Sequence, residues 1–112
     1  MVKTFHNLFY VKKPKNYGKG LAPIYLRISV DGKRTEVSTG RETDPDNDWI
    51  SDAGRVKNHG EKNKQLNKYL DSLQSKLYDA YQALIREDRI ITVETLKNKY
   101  TGVYRDNHYK FL

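Results

Sequence analysis

The sequence predicts an α+β domain: a three-stranded antiparallel sheet packed on a long C-terminal helix, followed by a short second helix. Three observations carry that prediction. Asp31-Gly32 stands between two segments of period-two alternation, the strongest short-range signal for a β-hairpin. Leu66, Leu70, Leu73, Leu77, Ala80 and Leu84 recur at spacings of four and three, which makes one apolar stripe along a helix. A chain of 112 residues that is 37% hydrophobic suffices for one modest core and not for two.

Thr4 to Lys12 reads as the first strand, with Phe5, Asn7, Phe9 and Val11 on one face and His6, Leu8, Tyr10 and Lys12 on the other. Lys13 to Leu21 is a loop broken by Pro14, Gly18 and Gly20. The second strand, Ala22 to Val30, alternates strictly, and Pro23 near its start is tolerated because the first residues need not donate to the ladder. A two-residue type I′ turn at Asp31-Gly32 fixes the register of the third strand. Val30 then faces Lys33, Ser29 faces Arg34, Ile28 faces Thr35, Arg27 faces Glu36, Leu26 faces Val37 and Tyr25 faces Ser38. Paired residues share a face, so Tyr25, Arg27, Ser29, Arg34, Glu36 and Ser38 form a wet side. Ile24, Leu26, Ile28, Thr35 and Val37 form a dry one.

Gly40 is expected to end the third strand, and residues 41–60 read as an irregular acidic segment with Asp44-Pro45, Gly54 and Gly60. The long helix is expected to start between Asn58 and Lys64 and to run to about Arg86, with Tyr69 and Tyr81 widening its stripe. Such a helix covers the apolar face that a three-stranded sheet cannot leave open to water. Thr92 as N-cap, Glu94 in the first turn and Gly102 past the end mark a second helix from Val93 to Tyr100, and residues 103–112 read as a tail. The expected division is residues 1–88 (sheet 4–40, acidic segment 41–60, helix about 61–87) and residues 89–112 as short helix and tail.

Lys and Arg number 21 against 14 Asp and Glu, a net charge of +7, and the excess is uneven. Residues 1–40 carry eight basic side chains (Lys3, Lys12, Lys13, Lys15, Lys19, Arg27, Lys33, Arg34) against Asp31 and Glu36, an excess of six. A block of that kind is the electrostatic footprint of a phosphate-backbone partner, or else a solubilising surface. With no Cys there is no disulfide scaffold and no thiolate metal site. No apolar run approaches the roughly 20 residues of a membrane span, so no membrane partner is expected. The N-terminus lacks a signal-peptide block, and the expected location is cytoplasmic, on the nucleoid when DNA is bound.

The residues do not read as an enzyme, and no cofactor is expected. His6, His59 and His108 fall in different elements, and there is neither a nucleophile elbow nor a Gly-rich phosphate loop. Asp44, Asp46 and Asp48 imitate the start of a calcium loop, but Trp49 stands where it needs Gly and Arg55 where it needs a bidentate Glu. A solvated turn closed by Asp and Asn side chains accounts for them, with Trp49 packing an edge of the core.

The wet sheet face carries the functional signal. A β-ribbon fits the major groove, where Arg makes bidentate bonds to guanine. Arg27 and Arg34 project from neighbouring strands; Tyr10, Tyr25, Ser29 and Ser38 add neutral groups. Lys12, Lys13, Lys15 and Lys33 lie at the edges, placed for phosphates. Glu36 either pairs with Arg27 across the strands or orients it while accepting from a cytosine amino group. Two other classes stay open: a protein-interaction module whose charge only aids solubility, and an RNA-binding sheet, which would want adjacent stacking aromatics in place of the alternating Arg, Ser and Glu.

The runs Phe9-Tyr10-Val11-Lys12-Lys13, Ala22-Pro23-Ile24-Tyr25-Leu26-Arg27-Ile28, Asp31-Gly32-Lys33-Arg34 and Ser38-Thr39-Gly40 belong to a wider pattern. With Asp44-Pro45, Trp49, Gly54-Arg55-Val56-Lys57, Asn67-Lys68-Tyr69-Leu70 and Ile91-Thr92, it resembles the N-terminal arm-type DNA-binding domain of mobile-element tyrosine recombinases, over residues 4–102 or so. The resemblance implies a sheet inserted in the major groove of accessory arm sites, with Tyr10, Lys12, Tyr25, Arg27, Arg34, Glu36 and Ser38 at the contacts. It also implies double-stranded DNA and other integrase protomers as partners. Two departures stand out. Asn7 occupies an inward position that is usually apolar in the family. The catalytic module is missing as well: the third residues after the three His are Phe9, Lys62 and Phe111, so no His-x-x-Arg occurs and no Tyr has a nucleophile's partners. The expectation is an N-terminal piece of a longer integrase.

Overall fold

The structure is a computed structural model and describes residues 4–102; the tail expected over 103–112 lies outside the described residues. Its first three strands form a meander: β1 (Phe5–Val11), β2 (Ala22–Val30) and β3 (Lys33–Thr43), in the order β1-β2-β3 and antiparallel throughout. The turn that joins β2 to β3 has φ of 49° at Asp31 and 86° at Gly32, the two positive values a type I′ turn demands. The Asp31 carboxylate also caps the start of β1, accepting from the Thr4 N–H at 3.0 Å. All six cross-strand pairs from Val30↔Lys33 to Tyr25↔Ser38 occur as the loop length requires.

The third strand runs on past Gly40, where it was expected to stop. The register shifts between Pro23 and Tyr25, so that Pro23 pairs with Glu42 and Ala22 with Thr43. A bulge at Thr39–Arg41 absorbs the extra residues, and Gly40, with φ of 74°, supplies its left-handed turn. Buried Thr39 holds the bulge: its hydroxyl donates to the Ile24 carbonyl at 2.7 Å, and its own carbonyl accepts from the Tyr69 hydroxyl at 3.1 Å.

The acidic segment contains a small ribbon, β4 (Trp49–Ile50) paired with β5 (Arg55–Val56), in place of wholly irregular chain. Asp44 organises the approach to it. Its carboxylate accepts from the backbone N–H groups of Asp46 and Asn47 and from the Asn47 amide at 2.8 Å, which closes a turn. Val56 is gripped by Asn67, whose side chain accepts from the Val56 N–H and donates to the Val56 carbonyl, both at 3.0 Å. The fork ties the ribbon to the long helix as a neighbouring strand would.

That helix, α1 (Glu61–Arg86), places Leu70, Leu77 and Leu84 fully inside, with Ala80 beside them. They meet Phe9, Ile24, Leu26, Ile28 and Val30 from the dry face of the sheet. Each large aliphatic side chain so buried contributes about 1.5–3 kcal/mol relative to exposure. Asp88 ends α1 in the left-handed conformation (φ 55°), and the Arg89 N–H returns to the Leu84 carbonyl at 3.0 Å. A second helix, α2 (Val93–Thr101), starts at a capping box in which Thr92 and Thr95 exchange bonds and ends at left-handed Gly102. Val93, Leu96 and Tyr100 bury its inner side in the same core. Trp49 packs at the edge of that core, half-buried. No helix among the described residues is long and apolar enough to cross a membrane.

Candidate nucleic-acid interface

Strand pairing arranges the wet face in cross-strand rows. Tyr10, Tyr25 and Ser38 make one, Leu8, Arg27 and Glu36 the next, and His6, Ser29 and Arg34 the third. Every dry-side residue of β2 beneath them, from Ala22 to Val30, is buried, so the rows stand on a fixed floor. Leu8 is 45% exposed and brings an apolar side chain to an otherwise polar surface. Lys33 pairs with Val30 at the hairpin end, out of phase with the rows, and is exposed there.

The centre of the face is a connected cluster. The Arg27 guanidinium lies 4.5 Å from the Tyr10 ring centroid, and the Tyr10 and Tyr25 rings are 6.2 Å apart. Lys12 Nζ sits 4.9 Å from the Tyr25 ring. Glu36 closes the cluster by accepting from both the Tyr10 hydroxyl and the Lys12 ammonium. Of the two expected roles of Glu36, the direct ion pair with Arg27 does not form among the described residues. The two residues are register partners, but the Arg27 guanidinium lies over the Tyr10 ring, a contact such groups favour, and Glu36 reaches diagonally across β2 to Tyr10 on β1.

The electrostatics follow from those bonds. The Lys12 ammonium, and after it the Tyr10 hydroxyl, hold the Glu36 carboxyl below its usual range. The bond to Glu36 raises Lys12 in turn. Burial is the main reason Tyr10 is raised, with its bond to Glu36 second. At neutral pH Lys12 and Glu36 therefore cancel. Arg27 and Arg34 remain as the uncompensated charge of the face.

The remaining lysines divide into two kinds. Lys13 is engaged, with Asp46 at 3.3 Å and the Tyr17 ring at 5.4 Å. Lys15, on the 13–21 loop, and Lys33, at the hairpin end, are exposed and form no ion pair among the described residues. Structure also brings in a cation that sequence reasoning passed over: Lys97 of α2 lines a cleft of about 450 Å³ with Arg27, Arg34, Thr35 and Glu36. Its only sequence signal is adjacency to Leu96, which is fully buried and so fixes where the next side chain emerges.

His6 and His59, exposed, stand on β1 and before α1, and no group of three or more metal-ligating side chains occurs among the described residues. A solvated, cation-bearing sheet face on a rigid support is a surface for binding an extended polyanion. Neither a search of curated proteins nor one of solved structures finds a match to the chain. The family model described as "Arm DNA-binding domain" matches residues 9–97, which include the whole wet face from Phe9 onward and α1. The chain therefore belongs to the arm DNA-binding domain family, the arm-type DNA-binding domain of tyrosine recombinases and integrases.

Proposed function

We propose that the domain reads duplex DNA through the major groove at arm-type accessory sites, as the N-terminal module of a tyrosine recombinase of a mobile element. One observation carries the reading: Arg27 and Arg34 rise from adjacent strands of a single face whose underside is buried all along β2. Arginines held at fixed spacing on a ribbon suit guanine O6 and N7, which lie at the groove floor. Ser29, Ser38 and Tyr25 supply neutral donors beside them, and Leu8 offers a thymine methyl an apolar contact. Glu36, ionised and oriented by the Tyr10 hydroxyl, presents an acceptor to a cytosine or adenine amino group. Lys12, Lys13, Lys15 and Lys33 contact phosphates around the rows, Lys12 and Lys13 by exchanging their carboxylate partners. Cutting and rejoining of strands belongs to other domains of the parent protein, which works in the cytoplasm on the nucleoid beside further protomers.

The test is selection of preferred duplexes from a random-sequence pool, followed by anisotropy titration of variants. Arg27→Ala and Arg34→Ala each weaken binding to the selected duplex by about 1–3 kcal/mol and relax preference at one position. Equal affinity of these variants and the parent removes the arginines from base reading. No binding to any duplex at low salt removes the DNA reading and leaves a protein-interaction surface.

A further inference from the structure

We propose that Lys97 of α2 forms a phosphodiester-binding flank at the β3 edge, beside Arg34 and opposite the lysines of the β1 edge, so that the domain grips both backbones of one groove. The inference rests on the DNA reading above and adds to it a second helix as a contact element. Three observations support it.

The first is convergence without compensation. Arg27, Arg34 and Lys97 share a cleft whose only carboxylate is Glu36, and Glu36 is already occupied by Lys12 and Tyr10. The second is that Lys97 is unpaired among the described residues, where another lysine of α2 and one packed against that helix are engaged. Lys99 binds Glu87 at 2.7 Å, and Lys76 lies 4.9 Å from the Tyr100 ring. Lys97 forms no ion pair among the described residues. Its place is fixed, because Leu96 is fully buried and α2 is capped at both ends.

The third observation is spacing. Three strands span about 10 Å from β1 to β3, against a major groove about 12 Å wide. With the sheet in the groove, Lys12, Lys13 and Lys15 flank one wall, and Lys97 flanks the other. Lys97 meets that wall as a point charge and leaves Arg34 to the bases.

Such a contact is blind to sequence, so a short random-sequence duplex is the probe, titrated over a salt series with the full chain. Lys97→Gln keeps helix propensity and the side-chain stem, and is expected to lower the slope of log affinity against log salt by about one. Lys97→Arg is expected to keep the parent slope, and sequence preference is expected to be the same in all three proteins. A loss of helix packing alone would not move the salt slope in this charge-specific way. An unchanged slope for Lys97→Gln overturns the flank. If the parent binds duplex and Arg27→Ala loses preference while Lys97→Gln keeps its slope, the flank fails and the base reading stands. If the parent binds no duplex, both fail.

Discussion

Gln74, midway along α1, donates its side-chain amide to the Asn7 oxygen on β1 at 2.6 Å. Asn7 belongs to the inward-facing set of its strand, where an apolar residue is expected, and this bond satisfies it at the sheet edge. The Gln74 oxygen meanwhile accepts from Arg55 at 2.9 Å, so one side chain joins β1, α1 and β5. Gln74→Leu strands the Asn7 amide and is expected to cost about 1 kcal/mol, near the low end for an unmade bond because both partners are half-buried. Adding Asn7→Val should return most of that loss, since both polar partners are then gone. Urea unfolding of the two single variants and the double checks this; additive losses would show that the pair is not coupled.

Glu36 both offers an acceptor to a base and neutralises Lys12. Glu36→Gln frees that lysine for phosphate. The expected outcome is tighter binding to random duplex, a salt dependence steeper by up to about one unit, and weaker discrimination among selected sequences. Anisotropy over a salt series measures the first two, and competition with scrambled duplex the third. A variant that gains no affinity for random duplex would mean that Lys12 stays bound elsewhere.

Acid should loosen the domain through its depressed carboxylates. Asn47, first by its side chain and then by its backbone, holds the Asp44 carboxyl below its ordinary range, and Lys12 and then Tyr10 do the same for Glu36. A carboxyl whose folded value lies below its unfolded one stabilises the fold fully above the unfolded value. That contribution disappears as pH falls through the folded value. The thermal midpoint is therefore expected to drop below about pH 4, and Asp44→Ala to start lower at neutral pH but fall less on acidification. Melting curves across that range decide it; parallel curves for variant and parent would clear Asp44.

The hairpin and the long helix were legible because their signals are local. Asp31-Gly32 allows one turn geometry, which sets six residue pairs at once, and the leucine spacing of residues 66–84 admits only a helix. The β3 extension was hidden because Gly40 reads equally as a terminator and as the left-handed residue of a bulge, and Tyr69 and Ile24, which decide between them, are distant in sequence. Two-residue strands such as β4 and β5 have no periodicity to detect, and the Asn67 fork that secures them is a tertiary contact. On the wet face, the rows followed from register, but which partner each charge takes did not. Arg27 and Glu36 are neighbours by pairing, and an aromatic ring of β1 and the lysine just past that strand separate their interactions.

Every strand of the sheet pairs only with its neighbour in sequence, so the meander needs no distant segment to be assembled. Such short-range pairing closes small loops and forms quickly. Its dry face nevertheless waits for leucines as far along the chain as Leu84. The surface that carries Arg27 and Arg34 therefore depends on chain about fifty residues downstream, and its support is complete only with the last turns of α1 in place.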